Sequence, residues 1–130
     1  MRLLQPDSST YFNKQDVSKK KAVMVMLFSP DCEHCQHTTE EIIRHMDEFK
    51  KVQIIMSTTL LFGKMKEFYR KYSLDRFENI VIGQDVNYVL PVFYEVRSLP
   101  FLAFYNRKKK LISVFEGGLP IEKMIEQLDK

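Results

Sequence analysis

The chain has 130 residues, the length of one ordinary domain, and 45% of them are hydrophobic, enough for a core without disulfide staples or a structural metal. Its 20 basic and 17 acidic side chains leave a net charge of +3, too mild a balance to imply nucleic acid. No apolar run approaches the ~20 residues that span a bilayer, and Met1 to Asp7 lack the layout of a signal peptide. The protein is therefore expected to be cytoplasmic, or else a mature domain without its targeting segment.

Thr10 to Val17 is polar and mixed, with the pair Tyr11-Phe12, and reads as a marginal edge strand. The basic triplet Lys19-Lys20-Lys21 follows and reads as a solvated turn. Ala22 to Phe28 is a continuous apolar run of seven, too short for a typical helix, and predicts a buried central strand. Ser29-Pro30-Asp31 breaks it. Ile42, Ile43, Met46 and Phe49 then share one helical face, which predicts a helix from about Cys32 to Phe49. Val52 to Met56 is a second buried strand. Leu61, Met65, Phe68 and Tyr72 mark a second helix ending near Leu74. Ile80 to Ile82 is a short strand, and Val86 to Phe93 a short helix. Phe101 to Tyr105 and Leu111 to Phe115, joined by the basic turn Asn106 to Lys110, predict an antiparallel hairpin. Gly117-Gly118 ends it. Leu119-Pro120 opens a last helix, with Ile121, Met124, Ile125 and Leu128 on one face. The order β-α-β-α-β-α-β-β-α predicts an α/β fold with a mixed β-sheet flanked by helices. No repeat or linker divides the chain, so 1–130 reads as one domain.

The chemistry concentrates at Cys32-Glu33-His34-Cys35. Cys32 stands in the first turn of a helix, where unpaired N–H groups and the helix dipole stabilise an anion. Cys35 lies three residues on, on the same face. A Cys32 thiolate can attack a substrate disulfide, and Cys35 can resolve the mixed disulfide. Glu33 and His34 between them tune the pair with opposite signs. Two inert core cysteines would need apolar neighbours, yet Asp31, Glu33, His34, Gln36 and His37 are polar. A metal site is the sharper rival: Cys32, His34, Cys35 and His37 are four potential ligands within six residues. Four-coordinate zinc, however, usually draws on two separated pairs, and there is no second cysteine pair. No metal is therefore expected. Haem attachment fails because Gln36, not His, follows Cys35. His45 reads as structural.

The strand, the turn, Cys32-x-x-Cys35 and the following helix resemble the active-site unit of the thioredoxin superfamily. Leu99-Pro100 before Phe101 to Tyr105 resembles the family's cis-proline opposite the CxxC pair. The resemblance covers about Ala22 to the C-terminus. It implies a thioredoxin fold, a cis Pro100, and substrate pairing with the backbone of Leu99. Phe28 to Cys35 looks most like the TlpA-like, redoxin-type branch. There 59–83 corresponds to a central helix–strand insertion, and Pro6 to Phe12, within a short N-terminal extension at 1–21, to shortened N-terminal strands. The resemblance implies a thiol–disulfide oxidoreductase that reduces protein disulfides. It also implies export, to a bacterial periplasm or tethered on that side. Such an enzyme needs no cofactor beyond its own disulfide, and its partners are protein or peptide thiols and a redox partner protein; a monomer is expected. Three positions depart from relatives. Met26 stands where thioredoxin has a buried acid, no Trp precedes Cys32, and Thr38 replaces a Glu of several periplasmic reductases. His37, Glu40 and Glu41 are the remaining candidates for a base acting on Cys35.

Two rival functions stand beside this one. A metal-binding or metallochaperone module would use Cys32 and Cys35 with His34 or His37. A thiol peroxidase would use Ser29, three before Cys32, and Arg97, although Phe28 stands where that family places a proline. Phe28, Pro30, Leu99 and Tyr88 to Tyr94 are candidates for an apolar rim around the pair, with ordinary core the competing reading.

Overall fold

The computed structural model describes residues 1–129. In chain order the strands are β1 (Arg2–Leu4), β2 (Tyr11–Asn13), β3 (Ala22–Leu27), β4 (Val52–Thr58), β5 (Ile80–Asp85), β6 (Phe101–Tyr105) and β7 (Leu111–Glu116). The α-helices are α1 (Glu33–Arg44), α2 (Phe62–Lys71), α3 (Val89–Tyr94) and α4 (Ile121–Leu128). The strands form one mixed sheet in the order β2-β1-β5-β4-β3-β6-β7. The centre, β5-β4-β3, is parallel; β1, β2, β6 and β7 pair antiparallel.

All six residues of β3 are buried, because it is covered on both faces. Its side chains alternate between two cores. Ala22, Met24 and Met26 join Phe28, Cys35, Ile42, Phe49, Met65, Phe68 and Met124 beneath α1, α2 and α4. Val23, Val25 and Leu27 face the other way, with Leu3, Phe12, Ile55, Leu90, Phe101 and Ala103. On that second face the six-residue α3 is, among the described residues, the only α-helix contributing to the core. It is bracketed by two non-glycine residues in the left-handed region, Tyr88 (φ 56°) and Glu95 (φ 53°). Asp85, a fully buried carboxylate at the end of β5, accepts the backbone N–H groups of Val89 and Leu90 at 3.2 and 2.9 Å. Those bonds hold the first turn of α3. At its other end the Tyr94 and Tyr105 hydroxyls are hydrogen-bonded.

The sequence-predicted elements are present, with corrections: of Thr10 to Val17 only β2 is strand, a 3₁₀ turn at Lys14–Asp16 following it, and the second helix ends at Lys71, Leu74 being buried by a separate 3₁₀ turn, Leu74–Arg76. The helix expected to reach Phe49 ends at Arg44. His45 (φ −110°, ψ 26°) leaves helical geometry, and a 3₁₀ turn, Met46–Phe49, follows. The apolar spacing continued because that turn still buries Phe49 completely. The bend is fixed from outside, by the Asn79 amide donating to the carbonyls of Phe49 (2.9 Å) and Val52 (3.0 Å). Within residues 86–93 the helix begins only at Val89, after the left-handed Tyr88. Finally, β1 carries no periodic signal, being three residues long, yet Leu3 is wholly buried and β1 separates β2 from β5.

That seating of β1 depends on Gly83 in β5. A Cβ there would lie 2.8 Å from the Leu3 Cβ and 2.9 Å from the Leu4 carbonyl oxygen, so strand and backbone would have to move apart. Gly83→Ala should therefore destabilise the protein by about 1–3 kcal/mol through overpacking, although alanine is the better strand former. Urea unfolding followed by circular dichroism checks this; unchanged or increased stability would show that β1 is not held as described.

Candidate active site

Chain geometry brings three segments to one end of the sheet. Leu27 pairs with Phe101 across the antiparallel β3–β6 ladder, so Phe28 and Ser29 leave β3 opposite the point where Leu99 and Pro100 enter β6. Leu27 also pairs with Ser57 of β4, and Phe28 N–H donates to the Ser57 carbonyl at 3.0 Å. Beyond Phe28 the chain turns tightly. The Ser29 carbonyl accepts the Cys32 N–H at 3.1 Å, and the Gln36 amide donates to the Pro30 carbonyl at 2.8 Å.

This turn delivers Cys32 to the N-cap position of α1, in extended backbone (φ −84°, ψ 120°). Its Sγ accepts the Cys35 N–H at 3.3 Å. A sulfur thus occupies the place usually taken by a serine or aspartate oxygen, and a thiolate accepts such a bond better than a thiol. Cys32 is partly exposed; Cys35 is completely buried, and both are free thiols. Burial, then the hydrogen bond with Cys32, pushes the Cys35 thiol up to about 12, against an opposing contribution from the Ser29 backbone. Thr39 Oγ1 donates to the Cys35 carbonyl at 2.9 Å and steadies that turn of α1.

Leu99-Pro100 is a cis peptide. Pro100 is buried, and its carbonyl accepts the Gly117 N–H at 2.9 Å. Gly117 has φ +80°, which suits glycine and turns the chain out of β7 towards α4. Leu99 touches both cores and lines a cleft of about 230 Å³ with Phe28, Thr59, Pro91 and Arg97.

The other candidates scatter. Glu33, His34 and His37 are exposed along α1, and none makes a side-chain hydrogen bond among the described residues. Glu40 accepts the Tyr72 hydroxyl at 2.8 Å; burial, and then this bond, raises the Tyr72 pKa to about 12. Glu41 pairs with Arg44, and its carbonyl meets the His45 ring nitrogen at 3.0 Å, which makes His45 part of the helix end. Met26 and Thr38 are both buried, so no carboxylate replaces the missing acid at either position. The suggested apolar rim divides. Phe28 is core, stacked on Phe68 at 4.6 Å, and Pro30 and Leu90 are buried. Tyr88, Val92 and Phe93 are more than half exposed. No three His, Cys, Asp or Glu side chains converge as metal ligands among the described residues. Sequence reasoning missed Thr39, Gln36 and Asp85, whose hydrogen bonds shape the site; only the helical spacing of Cys35 and Thr39 hinted at one of them.

Comparison with known proteins agrees with this geometry. A profile of the thioredoxin-like domain matches residues 12–130, and the chain belongs to that family. No curated protein matches at a significant level. Among solved structures, a secreted Mycobacterium tuberculosis disulfide oxidoreductase homologous to E. coli DsbE superposes with a TM-score of 0.79 at 17% identity, covering 98% of this chain and 92% of its own. DsbF of the same organism gives 0.80 at 16%, covering 98% and 91%. The exposed lipoprotein thioredoxin Etrx1 of Streptococcus pneumoniae gives 0.74 at 20%, covering 98% of each chain. The thioredoxin fold expected from the sequence is borne out.

The raised Cys35 pKa carries a stability consequence. The folded chain keeps this proton to about pH 12, whereas an unfolded thiol loses it near 9. The folded state thus binds more protons between those values. Its contribution is fully present below about pH 9 and is lost as pH rises towards 12. Urea midpoints of the reduced protein should fall across this window, and less steeply for Cys35→Ala. Equal slopes would place the titration elsewhere.

Proposed function

We propose that this chain is a thiol–disulfide oxidoreductase that reduces protein disulfides, with Cys32 as nucleophile and Cys35 as resolving thiol. The asymmetry of the pair carries the reading: one sulfur is partly exposed at a helix N-cap, the other buried and held protonated. The Cys32 thiolate attacks one sulfur of a substrate disulfide. A Cys32–substrate bond forms, the substrate S–S bond breaks, and the departing thiolate takes a proton from solvent. Cys35 then gives up its proton and attacks Cys32 Sγ. The Cys32–Cys35 disulfide forms and the second substrate thiol leaves, so two electrons have passed to the substrate. A partner dithiol returns the pair to its reduced form. No cofactor enters this cycle.

Leu99 and Pro100 form the wall against which an extended substrate segment lies, and Glu33 and His34 set the local charge at the helix start. The domain is taken as residues 1–130, with 1–21 as its N-terminal extension and 59–83 as the insertion. Export is the setting that suits the neighbours, one described as secreted and one as an exposed lipoprotein; the chain is taken to act as a monomer. The reducing direction is the one that the redoxin-type resemblance of Phe28 to Cys35 implies.

Insulin reduction with dithiothreitol as donor tests the activity. Cys32→Ser should abolish turnover to below about 1%, whereas Cys35→Ser should retain the first step and accumulate a mixed disulfide visible by mass spectrometry. Full activity of Cys32→Ser would sink the assignment. The reduction potential tests the direction separately: a value near about −270 mV agrees with a reductase, and one near about −120 mV would reverse the reading to a disulfide donor.

A further inference from the structure

The end of the sheet opposite the dithiol gathers positive charge that the sequence disperses. Residues 19–21 lead into β3, 50–51 into β4, and 107–110 lie in the turn from β6 to β7. These strands are neighbours in the order β4-β3-β6-β7, and Ala22 pairs with Val52 while Val23 pairs with Tyr105. Three separate cationic runs are therefore laid side by side. At ~4.8 Å per strand they span about 15 Å. Lys109 stitches two of them: half-buried, it donates its Nζ to the carbonyls of Lys21 and Arg107. Most of the remaining cations, including Lys19, Lys20, Lys108 and Lys110, are exposed. Against nine cations this end carries Asp47, paired to Lys50 at 3.1 Å, with Glu48 and Glu78, and with Asp75, Glu126 and Asp129 where the chain after α2 and the end of α4 come down to it.

We infer that this basic end is a docking surface for an anionic lipid bilayer, which it meets with the Cys32–Cys35 end directed away. The array is made of strand ends and turns. It presents neither a helix for a groove nor an exposed aromatic for base stacking, the two usual means of holding nucleic acid. It does present Leu111, 53% exposed beside Lys110, as an apolar contact among the cations. Lysines near an anionic membrane each add attraction that falls off within a Debye length. This inference is independent of the redox reading, since it uses none of the residues at the dithiol end.

Sedimentation of the reduced full chain with phosphatidylglycerol vesicles, and in parallel with phosphatidylcholine vesicles, provides the test. Retention is expected on the anionic vesicles alone, with release at high ionic strength. Neutralising two exposed cations of the basic end, Lys19→Gln with Lys108→Gln, should weaken binding about 25-fold, about fivefold for each. Lys20→Gln with Lys110→Gln should act alike and guards against a folding defect in one pair. Lys66→Gln with Lys123→Gln, the same change of net charge elsewhere, should cost less than about twofold. Equal losses from all pairs, equal retention on phosphatidylcholine, or no retention would overturn the inference. So would retention on duplex DNA at lower protein concentration than on vesicles, which would assign the surface to nucleic acid.

Discussion

The antiparallel ladder between β3 and β6 is the constraint on which the site rests. The cysteine pair and the Leu99-Pro100 bend are far apart in the chain, with 62 residues between Cys35 and Ser98. Pairing Leu27 with Phe101 brings the exits of both strands to the same level, and everything distinctive at that end follows. The ladder in turn requires β3 to be apolar on both faces, since a strand with one polar face could not sit between two cores. Met24 and Met26 fill one side and Val23 and Val25 the other. The reactive turn is thus anchored in the most deeply buried strand of the molecule, which gives a surface thiol a fixed position.

Burial also divides labour between two chemically identical side chains. Cys35 is three residues from Cys32, close to one helical turn, and that rotation carries it from a partly open cap into the core beside Met26 and Phe28. Where relatives place carboxylates that could draw off its proton, this chain has methionine and threonine, and Glu40 and Glu41 are engaged with Tyr72 and Arg44. The cost of ionising Cys35 therefore stays with the protein. In the exchange proposed above it falls on the second step, after a substrate has been captured.

What the sequence disclosed was what local chemistry determines. The seven-residue apolar run, the CxxC spacing after a turn and the proline before a strand could each be read within a short window, and each stands where it was expected. The end of α1 could not, because it depends on Asn79, 30 residues beyond Phe49. β1 could not, because three residues carry no period and its room is made by a glycine 80 residues away from Leu3. The charge at the far end was visible as separate short runs, each individually ordinary; only the strand order makes them one surface. Long-range pairing is the common element in all three, and sequence windows do not contain it.

The bracket around α3 has an implication for how this fold accommodates change. Tyr88 and Glu95 adopt backbone conformations that side chains rarely favour, and the segment between them is secured by the buried Asp85 below and the Tyr94–Tyr105 contact behind. Its outermost side chain, Val92, bears none of that load and is 74% exposed. Exposure and tolerance to mutation, usually taken together, part company within six residues. The frame resists replacement although much of it lies at the surface, while the outward face is free to be rewritten without disturbing Pro91 and the cleft behind it. A lineage could in this way alter what the rim presents to the outside while leaving the dithiol chemistry untouched.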